Sequence, residues 1–333
     1  MTDYKNLKLR ASSNPHIRNG EDTRGLMLDV IIALMPALLF GVWHFGVRVA
    51  ISAVVSVASA IFFEWLYRKL LHKPQMIGDL SAAVTGVLLA FVCPVTLPYW
   101  MLIIGDFFAI VVVKQLFGGI GQNFVNPAIT GRIILMVSFP TAMTTWINPR
   151  SWLDKGAEAV TTATPLTMMT KGGELSDGLP SLVDMLIGIR GGSLGETCAV
   201  ALIIGGIYMM IRKIISPAIP LSFIGTVAVI MLIAGKGDFR FVAYQLLSGG
   251  LMLGAFFMAT DYTTSPINFK GRIIFGIGCG LLTSFIRLFG SLPEGVSFSI
   301  ILMNILVPHI ENLTTPKPFG TVKEKKEKGA EKA

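Results

Sequence analysis

Charged side chains are scarce. Aspartate, glutamate, lysine and arginine supply 14% of the 333 residues, against about a quarter in ordinary soluble domains. Hydrophobic residues make up 53%, and the mean hydropathy is +0.67. So little charge excludes a water-soluble globule and points to a chain that crosses a bilayer several times. Cysteine is nearly absent too: Cys93, Cys198 and Cys279 stand far apart inside apolar runs. With no C-x-x-C and no Cys/His cluster, the sequence offers no ligand set of its own for a metal or an iron–sulfur cluster. A dinucleotide-binding glycine fingerprint and a phosphate loop are missing as well. The net charge of +8 is not a nucleic-acid footprint, because the basic residues lie between apolar runs and in the two tails.

Long apolar runs, by contrast, are plentiful. At about twenty residues per crossing, ten candidate spans can be drawn, over 26–46, 48–67, 79–96, 97–117, 126–147, 196–212, 217–235, 239–259, 271–290 and 295–310. The basic clusters orient them: the leader, Tyr67 to Lys73, Lys114, Arg212-Lys213, Lys270 with Arg272, and the lysine-rich tail all fall on one side. By the positive-inside rule that side is the cytoplasm, which puts both termini there. Trp43, Trp65, Trp100, Trp146 and Trp152 lie near predicted span ends, as an interfacial belt requires. The expected layout is a cytoplasmic leader over 1–25, a five-helix unit over 26–147, an extracytoplasmic loop over 148–195, a second five-helix unit over 196–310 and a charged tail over 311–333. A connection as long as 148–195 is expected to be functional.

The two units resemble each other. Leu80-Ser81 recurs as Leu247-Ser248, and Ile133 to Met136 recurs as Ile300 to Met303, at one common offset. Gln115 to Ile120 resembles Arg287 to Leu292. Five spans separate the paired elements, and an odd number inverts orientation. The expected fold is therefore an all-α polytopic membrane protein of about ten helices in two inverted five-helix repeats, an architecture like that of urea transporters. Gly86, Pro94 and Pro98 interrupt the third span, and Gly249, Gly250, Gly254 and Ala255 fill the eighth. Such residues either admit a close helix neighbour or mark broken spans lining a cavity.

Polar motifs are few. In Gly118 to Ala128, Asn126 followed by Pro127 reads as a helix cap with proline at the first helical position. Met258 to Pro266 carries Asp261 and four serine or threonine residues, read as a cap cluster with a solvated carboxylate. Glu294 is read as a cap of the tenth span. Asp106 lies near the middle of the fourth span, where a carboxylate faces a cavity, a partner charge or an ion path. Glu64, Arg48 and Arg132 sit near enough to span ends to snorkel.

The stretch Val160-Thr161-Thr162-Ala163-Thr164-Pro165-Leu166 is out of place in so apolar a chain. It reads as a surface turn, extended at Thr164 before proline. Glu158, Thr161, Ala163 and Thr164 also resemble the signal by which a flavin transferase joins FMN, through its phosphate, to a threonine hydroxyl. The sequence has glutamate where that signal has aspartate, and Thr162 where it usually has glycine. With Ser81 to Ala90, Gly118 to Ala128, Met258 to Pro266, Pro293 to Val296 and Leu302 to Asn304, the chain is similar to the NqrB/RnfD family of respiratory membrane subunits.

That resemblance implies a part in a complex coupling ferredoxin:NAD+ electron transfer to Na+ or H+ movement across a bacterial or archaeal cytoplasmic membrane. It implies covalent FMN on Thr164, with Thr161 the alternative acceptor, and a second, non-covalent flavin, riboflavin, among the spans. Gly119, Asn123, Asn126, Asp261 and Thr264 then frame that interior or an ion path, and Asp106 is a candidate for the ion path. The implied partners are the lipid bilayer, a flavin transferase, iron–sulfur subunits and a second covalent-FMN subunit of the complex, with no nucleic acid. The rival expectations are a cofactor-free channel or secondary transporter, and a structural scaffold.

Overall fold

A computed structural model of the chain describes residues 22–147, 149, 164–169, 179–193, 195, 198–290 and 294–316. Among these residues the architecture is all helical. Helices α1 (Thr23–Phe45) and α2 (Val47–Leu70) meet at Gly46. Then follow α3 (Ser81–Val92), α4 (Tyr99–Phe107), α5 (Pro127–Ser138) and the short α6 (Pro140–Met143). The short α7 (Pro165–Met168) and α8 (Leu182–Ile187) precede α9 (Ala199–Ile211) and α10 (Ala218–Ala234). Last come α11 (Phe239–Leu247), α12 (Leu251–Leu253), α13 (Phe269–Phe289) and α14 (Val296–Thr314).

Helix occupies the core of each of the ten predicted intervals, but not always as one rod. Among the described residues four helices, α1, α2, α13 and α14, are long and apolar enough to cross a bilayer unaided. A fifth crossing results if α11 and the α12 segment are joined across their 66° bend. The bend falls at Gly249 and Gly250, both left-handed at φ 68° and 64°, a conformation glycine adopts without a Cβ penalty. The third interval is shorter than expected. Its helix starts only after the left-handed Leu80 and ends before Cys93 and Pro94. Two helices widen into π-helix: α4 continues over Phe108–Gln115, and α12 over Gly254–Met258.

The outer surface is apolar. Val54, Leu221, Ile211, Ile233 and Phe289 are each more than half exposed on their helices, which suits a lipid boundary and not water. Charge is inside instead: Glu64, Arg68, Asp106, Lys114, Arg132, Arg190, Arg287 and Glu294 are all buried. Trp43 and Trp100 face outward as a belt requires, but Trp146 is buried in the fold, and Trp152 lies outside the described residues.

Two groups of helices can be traced. In the first, α2 packs on α3 and α4, and α5 packs on α3 and α4. In the second, α10 packs on α11 and α13, and α14 packs on α13 and on the π-helix after α12. The groups meet where α1 lies on α9 and α5 on α14. Glycine makes these seams tight: a Cβ at Gly205 would overlap the Ala33 carbonyl oxygen, and one at Gly86 would fall 2.7 Å from the Ser56 carbonyl oxygen. Gly86 therefore lies inside α3 as a close-approach residue and does not break the span.

Candidate functional site

A cavity of about 290 Å3 opens between the two groups. Its walls are apolar, from Val30 of α1, Val84 and Leu88 of α3, Met209 of α9 and Phe257 of the second π-helix. Its polar end carries Ser81, Lys114, Asn123, Asn126 and Asp261. An apolar slot with a few converging polar groups is the usual form of a small-ligand site.

Asn126 holds the two groups together at this end. Its Oδ1 accepts from the Ala128 and Ile129 amides at 3.0 and 3.2 Å, as the cap expected for α5. Its Nδ2 donates to the Met258 carbonyl at 3.2 Å. With the Asn304 amide oriented to satisfy its neighbours, Asn304 Oδ1 accepts from the Asn126 backbone N–H at 3.1 Å, and its nitrogen donates to the Thr264 carbonyl at 3.0 Å. Asp261 is not freely solvated: it lines the cavity, and its Oδ2 accepts from Thr263 and Thr264 Oγ1 at 3.0 and 3.1 Å. Of the five residues expected to frame the interior, Asn123, Asn126 and Asp261 reach the cavity. Thr264 is buried behind Asp261, and Gly119 lies in the adjoining loop, where a Cβ would meet Arg68 Nη2 at 2.9 Å.

Lys114 contributes the positive end, and sequence reasoning missed it. Its Nζ is 2.9 Å from Glu64 Oε2 and 2.6 Å from Ser81 Oγ. Gln115 Nε2 donates to Glu64 Oε1 at 2.9 Å, and Arg68 Nε stands 3.5 Å from the same atom. Glu64 does not snorkel: it is fully buried and anchors two cations and an amide. Arg132 does not snorkel either. It pairs with Glu294 and donates to Ser297 Oγ at 3.0 Å, so Glu294 ties α5 to α14, and Gly295 is the residue that precedes the first turn of α14. Arg48 remains near a helix end, donating to the Thr96 carbonyl at 2.9 Å. One signal was available: Glu64 and Arg68 are spaced i, i+4 within an apolar run.

Thr164 precedes α7 with extended backbone, φ −70° and ψ 151°, as its position before Pro165 requires. Its Oγ1 is 3.4 Å from Thr167 Oγ1. Contrary to the expectation of an accessible hydroxyl, the side chain is 5% exposed, because α7 lies on α11 and Leu166 approaches Gly249 at the bend. Thr161 and Glu158 lie outside the described residues. Asp106 is buried on α4, away from the cavity, and is bonded by Ser56 and Ser59. Cys93, Cys198 and Cys279 are buried free thiols, and no group of three or more metal-ligating side chains occurs among the described residues.

The profile of the NQR2, RnfD, RnfE family matches residues 10–320. The chain belongs to this family. Among its RnfD relatives, the chain is 46% identical over 324 residues to a component of the Na+-translocating ferredoxin:NAD+ oxidoreductase complex of Acetobacterium woodii, covering 96% of this chain and 98% of the relative. It is 43% identical to a component of the proton-translocating ferredoxin:NAD+ oxidoreductase complex of Clostridium ljungdahlii, covering 93% and 96%. It is 38% identical to a component of the ion-translocating oxidoreductase complex of Stutzerimonas stutzeri, covering 89% and 91%.

Proposed function

We propose that this chain is the membrane electron-transfer subunit of an ion-translocating ferredoxin:NAD+ oxidoreductase complex, carrying FMN as a phosphoester on Thr164. The observation that carries the complex assignment is similarity along nearly the whole chain to components of such complexes. The chain is not catalytic alone, and it works beside the iron–sulfur subunits and a second flavin subunit.

We read the chain as ten membrane-inserted segments in two inverted repeats, and the basic clusters of the sequence put both termini in the cytoplasm. Contacts within one group have counterparts in the other: α2 with α4 matches α10 with α13, and α4 with α5 matches α13 with α14. Two contacts between the groups, α1 with α9 and α5 with α14, join equivalent helices, as a two-fold pseudo-axis requires. Ser81 accepts from Lys114, and its repeat counterpart Ser248 accepts from Arg287 through its carbonyl.

The residues present fit a flavin in two places. A hydroxyl on extended chain before proline is the acceptor chemistry at Thr164. Its burial means that modification precedes the docking of α7 on α11, or that α7 lifts to admit the transferase. The cavity fits the ring system of a second, non-covalent flavin, with Phe257 and Val84 as walls and Lys114, Asn123 and Asn126 facing the polar edge. A bound flavin supplies one- and two-electron transfer, and the protein supplies position and electrostatics. Lys114 holds a positive charge at a fixed point, Glu64 fixes its orientation, and the apolar walls keep water from the ring.

Fluorescence tests this reading. The denatured subunit band fluoresces under ultraviolet light when made with the transferase, and Thr164→Val abolishes the signal while Thr161→Val keeps it. A dark wild-type band would reject the covalent flavin and favour a cofactor-free transporter or scaffold.

A further inference from the structure

Asp106 of α4 is a buried carboxyl that the redox reading leaves unused. It is fully buried in the interior of a span, and no cation stands within ion-pair distance of it among the described residues. Buried charged groups on the helices packed around it are committed elsewhere. Glu64 of α2 pairs with Lys114 of the π-helix, and Arg132 of α5 pairs with Glu294. An ionised carboxylate alone in such a place is costly.

Oxygen atoms surround it instead. Ser56 Oγ is 3.0 Å from Oδ1, and Ser59 Oγ is bonded to Oδ2. Each hydroxyl has a second oxygen neighbour. Ser56 Oγ is 2.8 Å from the Gly86 carbonyl, and Ser59 Oγ is 3.0 Å from the Ser56 carbonyl. Carbonyls and ionised carboxylates only accept, and a serine hydroxyl carries a single hydrogen. With Asp106 ionised, four oxygen–oxygen contacts share two hydrogens. A proton on the carboxyl supplies the third: Oδ2–H donates to Ser59 Oγ, Ser59 donates to the Ser56 carbonyl, and Ser56 shares its hydrogen between Oδ1 and the Gly86 carbonyl.

The spacing also argues against a cation the size of Na+ or Ca2+ at this point. These contacts are hydrogen-bond distances. Oxygens bound to a common hard cation at about 2.3 Å stand roughly 3.3 Å or more apart in octahedral array. Gly86 keeps the cluster closed, since its contact with the Ser56 carbonyl sets α3 directly on the α2 backbone.

We propose that Asp106, Ser56 and Ser59 form a proton-holding site inside the bilayer, whose ligand is H+ and not Na+. On release, the O–H bond of the carboxyl breaks, its electron pair stays on Oδ2, and the proton passes to water reaching the cluster. The Ser59 hydrogen then turns from the Ser56 carbonyl to Oδ2, and the Ser56 carbonyl keeps its helix position. The site is independent of the flavin assignments, so it stands or falls separately from them.

Isotope-edited infrared spectroscopy on the assembled complex, with the aspartate carboxyl carbons labelled, tests this. The expected result is a protonated-carboxyl carbonyl band that shifts in heavy water, is lost in Asp106→Asn, and persists when Na+ is added. Ser59→Ala, which removes a hydrogen-bond partner without touching the carboxyl, shifts the band and does not remove it. This second variant decides the matter if Asp106→Asn fails to assemble. A band absent from the wild type, unmoved by Ser59→Ala, or replaced by a carboxylate signal on adding Na+ overturns the proposal.

Discussion

Arg132 of α5 and Glu294, just ahead of α14, form a buried ion pair that joins the two helix groups. Ser297 accepts a second bond from the same guanidinium. Removing one member of a buried pair strands the other charge and costs about 3–5 kcal/mol, whereas replacing both by apolar residues is often nearly neutral. Arg132→Met is expected to lower the melting temperature of the solubilised complex sharply, and Arg132→Met with Glu294→Leu to recover most of it. Thermal unfolding of both variants checks this; a double variant no better than the single one would reject the pair as the element joining the groups.

Gly86 and Gly225 make a matched comparison. A Cβ at Gly86 meets the Ser56 backbone, and one at Gly225 meets nothing within 4 Å. Gly86→Val is expected to force α2 and α3 apart at about 1–3 kcal/mol. Gly225→Ala, in the interior of α10, is expected to be neutral or stabilising by up to ~1 kcal/mol. Denaturant titration of the two variants reads the difference.

Val84→Trp fills the cavity from the α3 side. It is expected to cut the acid-extractable flavin of the purified complex severalfold while the covalent fluorescence at Thr164 persists. Equal extractable flavin in variant and wild type would place the non-covalent flavin elsewhere.

Lys114→Gln removes the positive charge at the cavity's polar end and leaves Glu64 with Arg68 and Gln115. Reduction adds negative charge to a flavin, so losing a nearby cation disfavours it. The midpoint potential of the extractable flavin is expected to fall by on the order of 1 kcal/mol per electron, a few tens of millivolts. A redox titration, with the covalent flavin as internal reference, measures the shift.

What could be read in advance followed local chemistry. Helices α1, α2, α13 and α14 are unbroken apolar runs, and the Asn126-Pro127 cap and the Gly249-Gly250 break are short-range signals. Pairing across distant positions left no such trace. Glu64 and Lys114 lie fifty residues apart in the chain, and each alone looks like a snorkelling charge near a span end. Gly86 was misread because glycine in a helix signals a break and a close neighbour equally well. The burial of Thr164 depends on where α7 lies against α11, which its polar sequence does not encode.

The π-helix over Phe108–Gln115 decides which way the second half of the fourth span faces. Its bonds run from i to i+5, as in Leu116 N–H to the Val111 carbonyl. On a regular α-helix, Lys114 would stand about 80° round the cylinder from Asp106, and Gln115 on the opposite side. The wider turns bring Lys114 and Gln115 back towards α2, so Asp106 reaches Ser56 and Ser59 while Lys114 reaches Glu64. In evolutionary terms, such a turn is what one inserted residue leaves in an otherwise ordinary helix. Deleting one residue, such as Val112, would turn Lys114 away from Glu64 and the cavity while every side chain at the site kept its identity.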